Sequence, residues 1–151
     1  MITFPTVNGS NLLREKKSLP ADFKGQMNLL FIAFKQWQQS EVNSWVPWIN
    51  EMENKYPGLM YYELPVIEDR SSLSKWFINE GMRAGIPNPV TRERTITLYL
   101  IKDDFRNSLD LRDEEHIHIV LLGRNDDVMH RERGVFIPET ADCLEKMIAS
   151  L

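Results

Sequence analysis

The sequence predicts an α/β fold, a three-layer sandwich in which helices flank both faces of a mixed central sheet. Strand-like and helix-like segments alternate along most of the chain. A continuous apolar run from Asn28 to Phe34 is typical of a central strand that is covered on both faces. A hairpin and an amphipathic helix complete the pattern. No linker or repeat divides the 151 residues, so we expect one domain spanning 1–151.

The first helix is predicted shortly after the Asn28–Phe34 strand. Its apolar face is formed by residues at helical spacing, namely Val42, Trp45, Val46, Ile49 and Met52. Ser40 is placed to cap the helix by accepting hydrogen bonds from first-turn amides. Pro47 interrupts the pattern and is expected to kink the helix, which Pro57 and Gly58 then end.

The later elements follow from the same two periodicities. Strands are predicted at 59–67, 95–101, 116–122 and 128–133, the last two joined by a turn at 123–127, and a helix is predicted at 72–84. Asp103 or Asp104 is expected to cap a short helix that runs through Leu111. A final helix begins near Pro138 and carries Ala141, Leu144, Ile148 and Leu151 on one face.

Charge and composition exclude several classes of function. A net charge of −4 and a pI near 5.4 argue against binding to nucleic acid or to a membrane surface. No run of about 18 apolar residues could span a membrane. No signal-peptide pattern precedes the first strand, so a cytoplasmic protein is expected. Cys143 is the only cysteine, which excludes an internal disulfide, and we expect neither a cofactor nor a metal.

The order of the motifs resembles the thioredoxin-like fold of the peroxiredoxin and alkyl-hydroperoxide-reductase type, over nearly the whole chain. The segments Phe4–Gly9 and Leu19–Gly25 are similar to the stretch that precedes the first core strand in that family. Pro47–Tyr56 resembles the kinked first helix of thioredoxins, and Leu121–Gly134 resembles their closing hairpin and its glycine. Trp37 stands where the family has a tryptophan before its cysteine motif.

A second resemblance is narrower. Leu73–Ile78 and Asp104–Leu111, together with Gln36-Trp37 and Val42–Trp45, look like the mitochondrial ATP synthase assembly-factor family, which carries a cysteine-poor thioredoxin-like domain. This resemblance implies an assembly or chaperone-like role.

The chain departs from the redox members of the superfamily at the cysteine motif. Aligning the chain with the family at Trp37 (the Trp37 register) puts Gln38 and Glu41 at the two cysteine positions. Aligning it at Pro47 (the Pro47 register) puts Gln39 and Val42 there. Dithiol exchange requires a thiolate at the start of this helix, and none of these side chains supplies one. The family's substrate-loop proline aligns near His118 or His116, so that proline is missing as well.

Three alternative chemistries can be considered from the residues. Ser40 beside His116 or His118 could form a nucleophile–base pair, but a helix cap and strand histidines are the favoured interpretation. His116, His118 and His130 could share a metal across the hairpin if the turn length allows it, although structural histidines are favoured. Cys143 is expected to be a half-buried, unreactive thiol beside the apolar face of the last helix.

The favoured hypothesis is a redox-inactive binding module for a protein partner. Trp37 is expected to be exposed at the sheet edge where α/β folds bind ligands. The candidate binding residues are those around it and in the loop before the closing hairpin, namely Trp37, Gln38, Gln39, Ser40, His116 and His118. Gln38 and Gln39 are expected to supply an amide rim to this contact. The alternative is an enzyme on a peroxiredoxin scaffold with altered, non-dithiol chemistry.

Overall fold

A computed structural model describes residues 2–68 and 89–151. Seven strands lie in these ranges: β1 (Val7–Asn11), β2 (Lys16–Leu19), β3 (Met27–Ala33), β4 (Leu59–Ile67), β5 (Ile96–Tyr99), β6 (His118–Leu122) and β7 (Val128–Arg133). The same ranges contain a 3₁₀ turn, Gln36–Gln38, and four helices: α1 (Gln39–Lys55), α2 (Pro89–Arg94), α3 (Lys102–Leu109) and α4 (Pro138–Ser150). None of these helices is both long and apolar enough to cross a membrane.

The seven strands form one mixed sheet in the order β2-β1-β5-β4-β3-β6-β7. Strand β3 lies near its centre, parallel to β4 and antiparallel to β6. Leu29 to Phe34 are at most 2% exposed, as a strand covered on both faces requires. The predicted α/β class with a mixed sheet between helices is therefore confirmed.

Alternate side chains of the central strands divide the core into two layers. One layer joins Leu29 and Phe31 to α1 and α4 through residues such as Trp45 and Leu144. The other joins Leu30, Ile32 and Phe34 to α3 and to the segments before β3, through residues such as Phe105 and Phe23. This arrangement holds the start of α1 at the end of β3, beside the loop that leads into β6.

Most predicted elements are present with small shifts in their ends, and β4 has the predicted bounds. Helix α1 continues through Pro47, and α4 begins at Pro138 as expected. The sequence interpretation missed β1, β2 and α2, whose residues are largely polar or charged. The predicted helix at 72–84 lies outside the described residues.

Two helix details were predicted wrongly. Neither Asp103 nor Asp104 caps α3, because the helix begins at Lys102 with Ile101 as its N-cap, which places both aspartates in the first turn. Leu151 follows the end of α4 and is exposed, so the buried face of that helix ends at Ile148.

Candidate partner-binding site at the start of helix α1

Trp37 lies in the 3₁₀ turn that connects β3 to α1 and has 53% of its surface exposed. Its ring meets the imidazole of His116 edge to face, with the centroids 6.3 Å apart. His116 precedes β6, and 43% of its side chain is exposed. An aromatic pair from two different segments therefore faces solvent at this end of the sheet.

The side chain of Gln38, the residue after Trp37, is fully buried. Its Oε1 accepts hydrogen bonds from the backbone N–H groups of Phe34 at 2.8 Å and Lys35 at 3.3 Å. Its Nε2 donates to the carbonyl of Glu114 at 2.6 Å. Gln38 thus ties the end of β3 to the loop formed by residues 113–117.

Glu41 makes a second connection to the same loop. Its buried carboxylate accepts the backbone N–H of Ile117 at 3.0 Å through Oε1 and lies 2.7 Å from Nδ1 of His116 through Oε2. We use the term α1 seam for the junction between residues 38–42 and loop 113–117. At the seam, both residues that the Trp37 register aligns with cysteines hold the loop in place.

The other register aligns Gln39 and Val42 with cysteines. Gln39 is the first residue of α1, and its Nε2 donates to the buried carboxylate of Glu63 on β4 at 2.8 Å. Val42 is buried in the core layer beneath α1. All four side chains at the candidate cysteine positions are therefore enclosed by the protein.

These contacts correct two sequence-based expectations. Gln38 and Gln39 do not form an exposed amide rim, because both are buried and engage groups inside the fold. Ser40 is not the N-cap, since α1 begins one residue earlier and the 3₁₀ turn precedes it. The Ser40 hydroxyl instead donates to the carbonyl of Trp37 at 3.0 Å.

His118 has a buried structural environment, unlike His116. Its ring packs edge to face on Phe34, and Nε2 lies 2.7 Å from the carbonyl oxygen of Asp113. Burial lowers the pKa of His118 below its ordinary value, which favours the neutral ring. His118 therefore supports the loop from inside the fold and does not extend the exposed surface.

The loop between β7 and α4 borders this surface, and sequence reasoning did not select it. The N–H of Gly134 donates to the carbonyl of Ile117, and the indole N–H of Trp45 donates to the carbonyl of Gly134. Gly134 has a φ of 92°, a conformation that side chains disfavour. The following Val135 and Ile137 are 47% and 45% exposed. A signal was present in the sequence, because Val135 and Ile137 are apolar residues just before a helix.

Trp37, His116, Val135 and Ile137 together make up what we call the binding patch. It combines an exposed tryptophan, a half-exposed imidazole and two exposed aliphatic side chains on rigid, hydrogen-bonded supports. Aromatic side chains of this kind anchor protein interfaces because they bury a large area with little loss of conformational freedom.

The other sequence candidates lie in separate environments. His130 pairs with Glu132 on β7 at 2.7 Å, apart from the partners of His116 and His118. Among residues 2–68 and 89–151, no group of three potential ligands could hold a metal ion. Cys143 is exposed on α4, which corrects the expectation of a half-buried thiol; Ala141 and Leu144 turn toward the sheet instead.

The fold is similar to those of solved thiol-disulfide oxidoreductases. The thioredoxin domain of such an enzyme from Bacteroides vulgatus matches with a TM-score of 0.62 and 18% identity, over 97% of this chain and 95% of that one. An oxidoreductase from Bacteroides fragilis matches with a TM-score of 0.66 and 13% identity, over 96% and 98%. A thiol:disulfide interchange protein from a Bacteroides species matches with a TM-score of 0.63 and 20% identity, over 98% of this chain and 89% of that one.

The protein therefore has an α/β thioredoxin-like fold. No protein-family model and no curated protein matches the sequence. At this level of identity the similarity concerns the fold alone, and the single cysteine lies on α4, not at the start of α1.

Proposed function

We propose that this chain is a redox-inactive thioredoxin-like module that recognises a protein partner through the binding patch. The observation that carries the proposal is the replacement of a thiol site by the α1 seam, above which Trp37 is exposed. The seam fixes loop 113–117 with hydrogen bonds from Gln38 and Glu41, at positions where a redox protein would need sulfur.

The seam also supports binding on energetic grounds. A surface whose backbone is already ordered loses less conformational entropy when a partner docks. His116 is held by Glu41, and Val135 follows a glycine that is bonded to both Ile117 and Trp45. An assembly or chaperone-like role requires only such a surface, and this is the form of the function we favour.

The test is comparative capture of partners by the full chain and by a Trp37→Ala variant. The affinity of proteins that bind the patch should fall at least about 30-fold with Trp37→Ala, as for an interface anchor worth about 2 kcal/mol. The matched control is Trp48→Ala, which removes a tryptophan from the same helix region at a half-buried position. Partners captured equally by wild type and Trp37→Ala would contradict the proposal.

An enzyme on a peroxiredoxin-type scaffold is the second candidate, and the Glu41–His116 pair favours it. A buried carboxylate that orients an exposed imidazole is the arrangement of a general base. The nearest hydroxyl in sequence, that of Ser40, is engaged with the carbonyl of Trp37. Incubation with a fluorophosphonate probe separates the candidates: we expect no labelling, whereas labelling that Ser40→Ala and His116→Ala both abolish would favour the enzyme.

A further inference from the structure

Glu41 determines which nitrogen of the neutral His116 ring is left to accept a hydrogen bond. One carboxylate oxygen accepts the N–H of Ile117, and the other lies 2.7 Å from Nδ1 of His116. A carboxylate accepts hydrogen bonds, so the proton of the neutral imidazole resides on Nδ1. Nε2 then carries a lone pair, and 43% of the side chain is exposed. In this neutral form, a partner group that binds at Nε2 must donate a hydrogen bond.

The charges around the binding patch favour a cationic donor. The Nζ atom of Lys35 lies 3.7 Å from Oε1 of Glu115, and Nζ of Lys102 lies 3.9 Å from Oε1 of Glu114. On the same side, Arg106 pairs with Asp103 and Glu114, and Arg133 pairs with Asp113. Glu41 pairs instead with a histidine, which has no permanent charge. While the imidazole is neutral, the Glu41–His116 pair therefore contributes one negative charge directly behind the exposed ring.

Trp37 supplies the second requirement of a cation site. Its indole is 53% exposed and stands at 80° to the imidazole, so the two rings form a corner open to solvent. Cations bind to the face of tryptophan through its quadrupole, and arginine also stacks on it. The same side chain could then stack on Trp37 and donate to Nε2 of His116.

We infer that the Trp37–His116 corner receives an arginine or lysine side chain of the protein partner. This inference rests on the proposed function, since it names the chemistry that the binding patch recognises.

The experiment uses four peptides of the form acetyl-Gly-Gly-Xaa-Gly-Gly-amide, in which Xaa is arginine, lysine, leucine or glutamate. Binding to the full chain is followed by NMR shifts of the Trp37 indole N–H and the His116 ring. We expect the arginine peptide to bind at least about fivefold more tightly than the leucine peptide, with the glutamate peptide weakest. Equal binding of the arginine and leucine peptides, or tighter binding of the glutamate peptide, would overturn the inference.

Two variants test the mechanism. In Glu41→Gln, the new amide can accept from Ile117 but must donate to Nδ1, which moves the imidazole proton to Nε2 and removes the acceptor. The ¹⁵N shifts of the ring report this tautomer change directly, and the preference for arginine should fall below about twofold. His130→Ala is the matched control, because it removes the other histidine that pairs with a glutamate and should leave the preference unchanged. Retention of the preference in Glu41→Gln after the tautomer change would overturn the inference.

The outcomes also separate this inference from the proposed function. If partner capture depends on Trp37 but the peptides show no preference for a cation, the binding module stands and the cation site is wrong. If neither partner capture nor peptide binding depends on Trp37, the proposed function itself fails.

Discussion

The central sheet and the α1 seam are neighbours built by opposite means. Strand β3 is enclosed by apolar side chains on both faces, from Leu29 to Phe34. The seam directly after it is also enclosed, but by amide and carboxylate groups that bond to backbone atoms of another loop. Apolar burial is tolerant of small shifts, whereas a buried polar group is costly unless its partner is in place. The sheet therefore supplies stability, and the seam supplies a defined surface.

The largest difference in the free energy of unfolding is expected between variants of two tryptophans, Trp45 in the apolar core and Trp37 next to the seam. Trp45 is fully buried and its ring contacts Phe31, Trp48 and Phe136. Trp45→Ala should lower the free energy of unfolding by about 3–5 kcal/mol through the cavity it leaves. Trp37→Ala should lower it by no more than about 0.5 kcal/mol, because the ring is exposed. Urea denaturation measures both, and a large loss with Trp37→Ala would make that ring part of the core.

The seam itself is tested by Gln38→Leu. Leucine fills the space but leaves the Phe34 N–H and the Glu114 carbonyl without their partner, so we expect a loss of about 2–3 kcal/mol. Ser40→Ala is the matched control two residues away, and its expected loss is at most about 0.5 kcal/mol since its hydroxyl is exposed and caps nothing. If the two losses are equal, Gln38 does not hold the loop.

The same division explains what the sequence could predict. The apolar runs at 28–34 and 59–67, and the spacing of Val42, Trp45, Ile49 and Met52, predict the sheet and α1 because burial imposes their periodicity. The seam leaves no such pattern. Gln38 and Gln39 are polar residues beside an exposed tryptophan, and only the position of loop 113–117 in three dimensions makes them interior residues.

Two further features could be predicted only in part. His116 and His118 are two residues apart and have identical side chains, yet one reaches Glu41 and the other packs on Phe34. Strand alternation predicts the same face for residues two apart, but β6 begins only at His118, so the rule did not apply to His116. The helix cap at Ser40 was wrong for a related reason, because the 3₁₀ turn before α1 moves the helix start to Gln39.

A smaller, pH-dependent effect on stability should distinguish the buried His118 from His130. Burial lowers the pKa of His118 from its ordinary value of 6.5, so below about pH 6.5 the unfolded state binds a proton that the folded state resists. This contribution to stability is full above pH 6.5 and declines as the pH falls, by at most about 1.4 kcal/mol per pH unit. His118→Gln should flatten the decline between pH 6.5 and 5 relative to His130→Gln, as followed by urea denaturation. Parallel curves for the two variants would contradict the assignment.

The central claim, that a thioredoxin-like fold here serves binding without thiol chemistry, is tested most directly by reduction of insulin disulfides and turnover of peroxide. The grafts Gln39→Cys with Val42→Cys and Gln38→Cys with Glu41→Cys test separately which of the two registers is correct. In the correct register the pair should form an internal disulfide, with the pKa of the first thiol below the free value of about 8.5. We predict that the wild-type chain and Cys143→Ser both remain at the buffer rate. Turnover above that rate in the wild type, and above all turnover that survives Cys143→Ser, would contradict the claim.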